Sequence, residues 1–148
     1  MTTPLTIHPG QLSLNELRRI WEQPTTIRLH AEAYTAVERA AATIHDIVQK
    51  GDAAYGINTG FGKLAKSRIP DDQLELLQRN LILSHSVGVG EPMSDATVRL
   101  LMVMKAASLA RGYSGVRAVV IDTLLALINA DIMPVSYTHL TLPTKRIV

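Results

Sequence analysis

The stretch YGINTGFG, residues 55–62, places three glycines, a tyrosine and the only phenylalanine of the 148-residue chain within eight positions. Glycines let the backbone adopt conformations in which its N–H groups approach a bound molecule closely, so this loop between helices is a candidate site. Tyr55 stands at its entrance, and a phenol acts as a base only where cations or hydrogen-bond donors stabilise the phenolate. Spacing alone favours a simpler alternative, a connector in which Tyr55 and Phe61 fill the core.

The composition excludes several classes of function. With 47% hydrophobic residues, 19% charged residues and a formal net charge of +2, the chain is typical of one globular domain. It has no lysine or arginine cluster suited to a row of phosphates, so no nucleic acid is expected as a partner. Cysteines are absent, which excludes disulfides and thiolate metal sites, and no metal is expected. Neither a signal sequence nor a run of about 18 uncharged apolar residues occurs, so we expect a soluble cytoplasmic protein without membrane contact.

Capping residues and hydrophobic periodicity predict five helices. Ser13 and Glu16 have the spacing of a capping box at the start of the first helix, which ends before Pro24. Two short segments, Leu5–Ile7 and Thr26–Leu29, are expected to pair as a small β-ribbon. The other four helices are predicted over residues 31–50, from 71 to the turn that contains 85, from a cap at 94 to about 110, and over 116–130.

The fourth and fifth predicted helices are apolar on nearly all sides. A helix without a polar face is stable when it is buried all round, and the preceding elements are too few to cover two such helices. We therefore expect their outer faces to pack inside a larger helical bundle or a subunit interface. The same faces support an alternative to an enzyme, a noncatalytic helical interaction module that docks on a partner.

One face of the third predicted helix ends in a histidine. Leu74, Gln78, Leu81 and His85 are spaced by four, three and four residues, so they share a face. His85 lies in the last turn before Gly88, where its side chain projects from the helix end. Taken alone, this position favours a half-buried histidine that is hydrogen-bonded to a carbonyl group.

Three blocks of the sequence resemble the aromatic amino acid ammonia-lyase family. The first is YGINTGFG at residues 55–62, and the third is SLARGYSG at residues 108–115. The second, LQRNLILSHSVGVG at residues 77–90, is specifically similar to the histidine ammonia-lyases. The blocks occur in the order that the family has. The resemblance extends over about residues 5–134, which correspond to roughly the amino-terminal quarter of such an enzyme.

The resemblance implies a mainly α fold, the helical amino-terminal portion of an ammonia-lyase-type helical bundle, with a small β-ribbon near the amino terminus and a glycine-rich active-site loop. It implies non-oxidative deamination of L-histidine to trans-urocanate and ammonia, in histidine degradation, by a cytoplasmic homotetramer. A tyrosine ammonia-lyase or an aminomutase of the same family remains an alternative. A histidine facing the substrate ring suits an imidazole or a phenol, whereas a bare phenyl ring offers it no partner.

The resemblance also assigns roles to three residues. Tyr55 corresponds to the catalytic base that takes the β-proton, Gly62 lines the pocket through its backbone, and His85 binds the ring of the substrate. Family members use an electrophile, 4-methylideneimidazol-5-one (MIO), which forms from an internal Ala-Ser-Gly without any metal. This chain contains no such triplet, and the nearest one, Tyr113-Ser114-Gly115, belongs to another block. We therefore expect the 148-residue chain alone to be inactive.

The sequence changes character after residue 134. Residues 135–148 are rich in threonine, lack helical periodicity and depart from the family pattern. We interpret them as a non-native or disordered tail produced by read-through, and residues 1–134 as the amino-terminal part of an ammonia-lyase domain.

Overall fold

The computed structural model describes residues 4–86 and 88–140, which form a mainly helical fold with short strands. Short 3₁₀ turns lie at Gly62–Leu64 and Asp71–Gln73. In chain order the elements are β1 (Leu5–Ile7), α1 (Leu14–Glu22), β2 (Ile27–Leu29), α2 (Glu32–Lys50), α3 (Leu74–His85), β3 (Gly88–Pro92), α4 (Asp95–Leu109), α5 (Ala118–Asn129) and β4 (Tyr137–Leu140).

The chain divides into two compact units. Among the described residues, one unit contains residues 4–43 together with Met93–Ser136, and it holds β1, β2, α1, α4, α5 and the first part of α2. The other contains residues 44–86, 88–92 and 137–140, and it holds the glycine-rich loop, α3, β3 and β4. No helix in the described segments has both the length and the apolar character needed to cross a membrane.

All five predicted helices are confirmed, with ends that differ by a few residues from the predicted ones. The capping box that starts α1 is present: Ser13 Oγ accepts from the Glu16 N–H at 3.3 Å, and the Glu16 carboxylate accepts from the Ser13 N–H at 2.7 Å. These bonds satisfy N–H groups that the first turn of a helix leaves without partners. Local sequence therefore fixes where this helix begins.

The predicted β-ribbon is confirmed, and its strands are parallel. Leu5 pairs with Ile27 and Ile7 pairs with Leu29, and α1 provides the crossover that parallel strands require. The side-chain amide of Asn129, at the end of α5, extends the ribbon on its other side. Its Oδ1 accepts from the Ile27 N–H at 2.7 Å, and its Nδ2 donates to the Ile27 carbonyl at 2.9 Å. The ribbon is thus tied to a helix more than one hundred residues away in sequence.

The core of this unit lies around α4, which packs against α1 on one side and α5 on the other. Its buried face carries small and medium side chains, so the neighbouring helices approach closely. The largest fully buried side chains of the core come from both ribbon strands and from four helices: Ile7, Ile20, Ile27, Val37, Val103 and Ile121.

Within the described residues α4 and α5 are not buried on all sides, as expected from the small number of elements available to cover them. Leu101 and Met104 on α4 are each 47% exposed, and Val119 and Val120 on α5 are exposed as well. Each helix buries one face against this unit and leaves apolar side chains on the other. The packing of those outer faces inside a larger bundle stays a prediction.

Arg99 is a further departure from the apolar pattern of α4, because this charged residue is only 7% exposed. Its Nη1 donates to the Ile20 carbonyl at 3.3 Å, and its Nη2 faces Asp131 Oδ1 at 3.4 Å. Burying a charge is costly unless it is paired, and these contacts engage both terminal nitrogens, whereas the buried Nε has no hydrogen-bond partner among the described residues. Arg99 therefore joins α4 to the end of α1 and to the turn after α5.

Strands β3 and β4 pair in antiparallel fashion, with Gly88 opposite Leu140 and Pro92 opposite Tyr137. Residues 137–140 therefore have regular backbone structure. The interpretation of residues 135–148 as a non-native tail concerns their origin and stays a prediction. Residues 141–148 lie outside the described part of the chain.

Replacing Asn129 with alanine should destabilise the first unit, because the buried backbone groups of Ile27 lose both hydrogen-bond partners. We expect a loss of about 2 kcal/mol in the free energy of unfolding, measured by urea denaturation. Asn15 on α1 is exposed, so Asn15→Ala is a matched amide-to-alanine control that should change stability little. Equal losses in the two variants would contradict the bridging role of Asn129.

Tyr34 on α2 donates a hydrogen bond to Asp122 on α5, with an O–O distance of 2.6 Å. This bond to a carboxylate favours the neutral phenol and raises the pKa of Tyr34 to about 12. Because the folded-state value lies above that of an unfolded tyrosine, the stabilisation is complete below about pH 10 and is lost as the pH rises toward 12.

Asp122→Asn should therefore lower the pKa of Tyr34 toward its ordinary value. Absorbance titration of the four tyrosines should lose its highest-pH component in this variant. Circular dichroism recorded in parallel limits the fit to the pH range in which the helices persist. Asp46→Asn, at an exposed carboxylate of α2, is the control and should titrate as the wild type does. An unchanged titration of Asp122→Asn would refute the hydrogen bond.

Candidate active site

The glycine-rich loop is built around the buried side chain of Asn58. This side chain is 0% exposed, and both ends of its amide are engaged. Its Oδ1 accepts from the Ala54 N–H at 2.8 Å, and its Nδ2 donates to the Asp52 carbonyl at 2.9 Å. The Asn58 N–H also donates to the Ala54 carbonyl at 3.2 Å. These bonds close a turn over residues 54–58, and Tyr55 projects from it.

Backbone pairing with the following residues closes the second half of the loop. The Ile69 N–H donates to the Asn58 carbonyl at 2.8 Å, and the Gly60 N–H donates to the Ser67 carbonyl at 3.1 Å. Between these bonds, Thr59 and Arg68 form an antiparallel bridge, and the Thr59 side chain is buried. The loop is therefore a closed, hydrogen-bonded structure.

Tyr55 lies on the outside of this loop, with 66% of its surface exposed. Its ring meets the edge of the Phe61 ring, with the centroids 5.8 Å apart and the planes at 68°. Such an edge-to-face contact restricts the orientation of the phenol without occupying its hydroxyl group. The alternative in which Tyr55 fills the core is therefore wrong, and the phenol is available to a ligand.

Gly62 begins the 3₁₀ turn at Gly62–Leu64 and has a positive φ of 58°. Residues with a Cβ adopt this conformation at a cost, so the backbone here favours glycine. Its carbonyl accepts from the Ala65 N–H at 3.1 Å. The turn brings the backbone of Gly62 directly after Phe61, the residue on which Tyr55 rests.

His85 is the last residue of α3 and is half-buried. Its Nδ1 lies 2.8 Å from Ser84 Oγ, so the imidazole has a hydroxyl partner in place of the carbonyl group expected from position alone. The less exposed face of α3 contains Leu74, Leu77, Leu81 and His85. Gln78 lies on the same side of the helix, as the spacing predicts, and its side chain is exposed. A face running from 74 through 77 and 81 to 85 keeps the three- and four-residue spacing of a helix.

Tyr55, Gly62 and His85 all belong to the second unit. Within the described residues, Tyr55 makes its ring contact with Phe61 and His85 makes its hydrogen bond with Ser84, and neither contact joins the two. Gly62 follows Phe61 directly in the chain. The structure thus gives each residue a defined local setting, and a pocket shared by all three stays a prediction.

Asn58 is the residue that sequence reasoning missed. It stands between Ile57 and Thr59 in the quoted stretch, and its type alone gives no sign that it is buried. The residue type was the one signal in the sequence for this role. An asparagine amide carries both donors and an acceptor and so can replace backbone partners inside a turn. Its neighbours in sequence did not reveal which backbone groups it would bind.

The described residues do not fit the family's MIO group. The nearest triplet is Tyr113-Ser114-Gly115, which has an exposed tyrosine in place of the alanine that the group requires. A tyrosine at the first position departs from the Ala-Ser-Gly from which the group forms. In the described segments, no group of three or more histidine, aspartate or glutamate side chains is arranged to hold a metal ion.

The sequence pattern of one family, described as aromatic amino acid lyase, matches residues 12–141. The chain belongs to the aromatic amino acid lyase family. This match confirms the resemblance in the three blocks. It also includes the first residues of the segment interpreted as a tail, whose origin stays a prediction.

The chain is 56% identical over 130 residues to a histidine ammonia-lyase of Burkholderia pseudomallei strain 668, a match that covers 88% of this chain and 26% of that protein. The chain thus spans about a quarter of the length of the curated relatives that it matches.

Two solved structures confirm the fold. The histidine ammonia-lyase of Trypanosoma cruzi is similar with a TM-score of 0.77 and 35% identity, over 86% of this chain and 24% of that one. The tyrosine aminomutase of Streptomyces globisporus is similar with a TM-score of 0.80 and 26% identity, again over 86% of this chain and 24% of that one. The expected helical ammonia-lyase fold is therefore present.

Replacing Asn58 with alanine should open the turn that carries Tyr55. The Ala54 N–H loses its acceptor and the Asp52 carbonyl loses its donor, while the cavity left by the amide is buried. We expect amide hydrogen exchange at Ala54 and Ile69 to accelerate by about tenfold or more. Asn80→Ala, at an exposed position of α3, is the matched control and should leave both rates unchanged. Unchanged exchange in Asn58→Ala would show that the amide does not hold the turn.

Proposed function

We propose that the chain is part of a histidine ammonia-lyase, which removes ammonia from L-histidine without oxidation and releases trans-urocanate in histidine degradation. The observation that carries the proposal is the 56% identity to a histidine ammonia-lyase over 130 residues. The half-buried His85 at the end of α3 supports the choice of substrate. Its imidazole can both donate and accept hydrogen bonds, as recognition of another imidazole requires.

In this proposal Tyr55 is the general base that takes the β-proton of the substrate. Two observations support the role: the phenol is exposed, and the Phe61 edge contact leaves its hydroxyl without a hydrogen-bond partner among the described residues. Phe61 is apolar and does not stabilise a phenolate. Proton abstraction at Tyr55 therefore needs cations or donors supplied by other parts of the full-length enzyme.

Gly62 and His85 are proposed to hold the substrate around that base. The positive φ of Gly62 and its lack of a side chain leave its backbone open to a ligand. His85 is proposed to bind the ring, with Ser84 as the hydroxyl that fixes the orientation of the imidazole. In this arrangement Tyr55 takes the proton, and Gly62 and His85 position the substrate.

Elimination also needs an electrophile that makes the amine a better leaving group, which MIO provides in the family. Because this chain has no Ala-Ser-Gly, we propose that the 148-residue chain alone has no turnover. A homotetrameric assembly and a cytoplasmic location belong to the same proposal, and both rest on family resemblance.

A second candidate substrate is tyrosine. The likeness in fold to a tyrosine aminomutase favours it, and a histidine can bind a phenol as well as an imidazole. Relative rates with the two amino acids distinguish these candidates, and analysis of the products distinguishes elimination from isomerisation.

A chimera tests the role of Tyr55. Residues 12–134 of this chain would replace the matching segment of the Burkholderia pseudomallei enzyme. We expect the chimera to form urocanate from L-histidine, followed by its absorbance, and the 148-residue chain alone to form none above a blank. Tyr55→Phe in the chimera should lower kcat by about 10²- to 10⁴-fold. Tyr34→Phe, which alters a tyrosine outside the loop, should keep most of the activity. Equal activity of Tyr55→Phe and the unchanged chimera would refute the general-base role.

The same chimera tests the ring contact. His85→Phe should shift relative kcat/KM from histidine toward phenylalanine, because a phenyl group cannot satisfy the polar atoms of an imidazole. His45→Phe is the matched control, since His45 is an exposed residue of α2. An unchanged preference in His85→Phe would remove His85 from the substrate site while leaving the lyase assignment in place.

A further inference from the structure

Two adjoining pockets of the first unit share Gly10 and Arg111. The smaller one, of about 290 Å³, lies between α1 and α4 and is lined mainly by apolar side chains, with Leu12, Leu17, Met104 and Ala107 among them. We call it the apolar pocket. Its volume is close to that of a site for a small organic molecule.

The larger pocket, of about 510 Å³, has a polar lining, and we call it the polar pocket. The rings of His8 and His30 stack on one side with their centroids 4.4 Å apart and their planes tilted by 32°. Gln11 adds an amide, so several N–H donors line the same space. Glu32 is the acidic residue in the lining, and its carboxylate faces His30 Nδ1 at 3.8 Å with a 92% exposed side chain. Water therefore screens most of its charge.

Arg111 stands where the two pockets meet. Its guanidinium lies over the Tyr113 ring, 5.4 Å from the centroid. In the described part of the chain, none of its five N–H donors has a hydrogen-bond or ion-pair partner. A planar guanidinium binds a carboxylate through two parallel hydrogen bonds, so an unengaged one at a pocket boundary is suited to that group.

The backbone that carries Arg111 is held firmly in place. Gly112 follows it with a φ of +74°, and a Cβ built there would lie 2.6 Å from the Ala36 backbone on α2. The Arg111 and Gly112 N–H groups donate to carbonyls of the last turn of α4, at 3.3 and 3.1 Å. Tight packing of this turn against α2 fixes the backbone of Arg111 at the boundary of the two pockets, and the side chain itself is exposed.

We propose that Arg111 and the two pockets form a binding site for a small organic carboxylate with an apolar body. The carboxylate pairs with the Arg111 guanidinium at the boundary, and the apolar body enters the apolar pocket beside Leu17 and Met104. Donors of the polar pocket bind the remaining lone pairs of the carboxylate or its water. The site contains none of Tyr55, Gly62 and His85, and it is independent of the proposed lyase activity.

The probe is 3-phenylpropionate, titrated into the ¹⁵N-labelled 148-residue chain and followed by ¹⁵N–¹H NMR. We expect saturable shifts at residues 10, 12, 17, 104 and 111, with a dissociation constant on the order of 1 mM. The uncharged 3-phenylpropan-1-ol and inorganic phosphate should each bind about tenfold more weakly, because each offers only one half of the recognised chemistry.

Two pairs of variants separate the two halves of the site. Arg111→Gln should weaken 3-phenylpropionate about tenfold or more, whereas Arg117→Gln, an equal charge change outside both pockets, should not. Met104→Gln should weaken the probe by about threefold to tenfold, whereas Leu101→Gln, equally exposed on the same helix, should not. Circular dichroism melting curves establish that each variant keeps the wild-type fold.

Several outcomes overturn the proposal. If the alcohol bound as tightly as 3-phenylpropionate and Arg111→Gln had no effect, the site would be an apolar pocket without carboxylate recognition. If phosphate bound as tightly as 3-phenylpropionate, the site would be a cationic surface without an apolar subsite. The absence of saturable chemical-shift changes up to about 20 mM 3-phenylpropionate would show that the proposed site does not exist. A wild-type spectrum without dispersed amide signals would do the same, since the pockets require the packed fold.

Discussion

Burial of one face of α4 is the constraint on which the first unit depends. Small and medium side chains such as Val103 and Ala106 let α1 and α5 approach α4 from two sides, and Ile121 of α5 becomes fully buried against them. Water is thereby removed from the polar backbone of the ribbon and from one arginine. Groups that lose water in this way are stabilised by hydrogen-bond partners inside the protein. Asn129 pairs with the Ile27 backbone, and Arg99 pairs with the Ile20 carbonyl and with Asp131.

The glycine-rich loop is stabilised in a different way from the first unit, because hydrogen bonds hold it together and apolar burial contributes little. α3, in the same unit, has no fully buried residue. Asn58 is the group around which the loop closes, since its amide replaces two backbone partners at once. An amide is well suited to this role because it offers a donor and an acceptor in fixed geometry, which an apolar side chain of similar size cannot do. The position of Tyr55 thus depends on a residue that has no contact with substrate in the proposed reaction.

Local features of the sequence predicted much of this fold. Ser13 and Glu16 lie three residues apart, so their capping box was visible in the sequence, and the apolar periodicity gave the helices. The missed features join distant positions: Arg99 binds a carbonyl 79 residues away, and Asn129 binds a strand 102 residues away. Spacing rules describe residues a few positions apart and do not predict contacts between residues so distant in sequence. At the site, residue types and family resemblance indicated Tyr55, Gly62 and His85, whereas the exposure of Tyr55 depends on tertiary packing and could not be predicted.

Tyr55, the proposed base, and the outer faces of α4 and α5 are all exposed to solvent. A general base works efficiently when water is excluded around it, because the surrounding charges and dipoles then act at low dielectric. Tyr55 is 66% exposed, and its described neighbour is an apolar ring, so these residues orient the phenol without providing that environment. Leu101 and Val119 are likewise apolar side chains in water, on helices that bury one face and expose the other. A lyase several times longer than this chain, as the matched relatives are, accounts for both observations if its additional residues cover the phenol and these faces. The exposed phenol and the exposed apolar faces then have the same physical explanation.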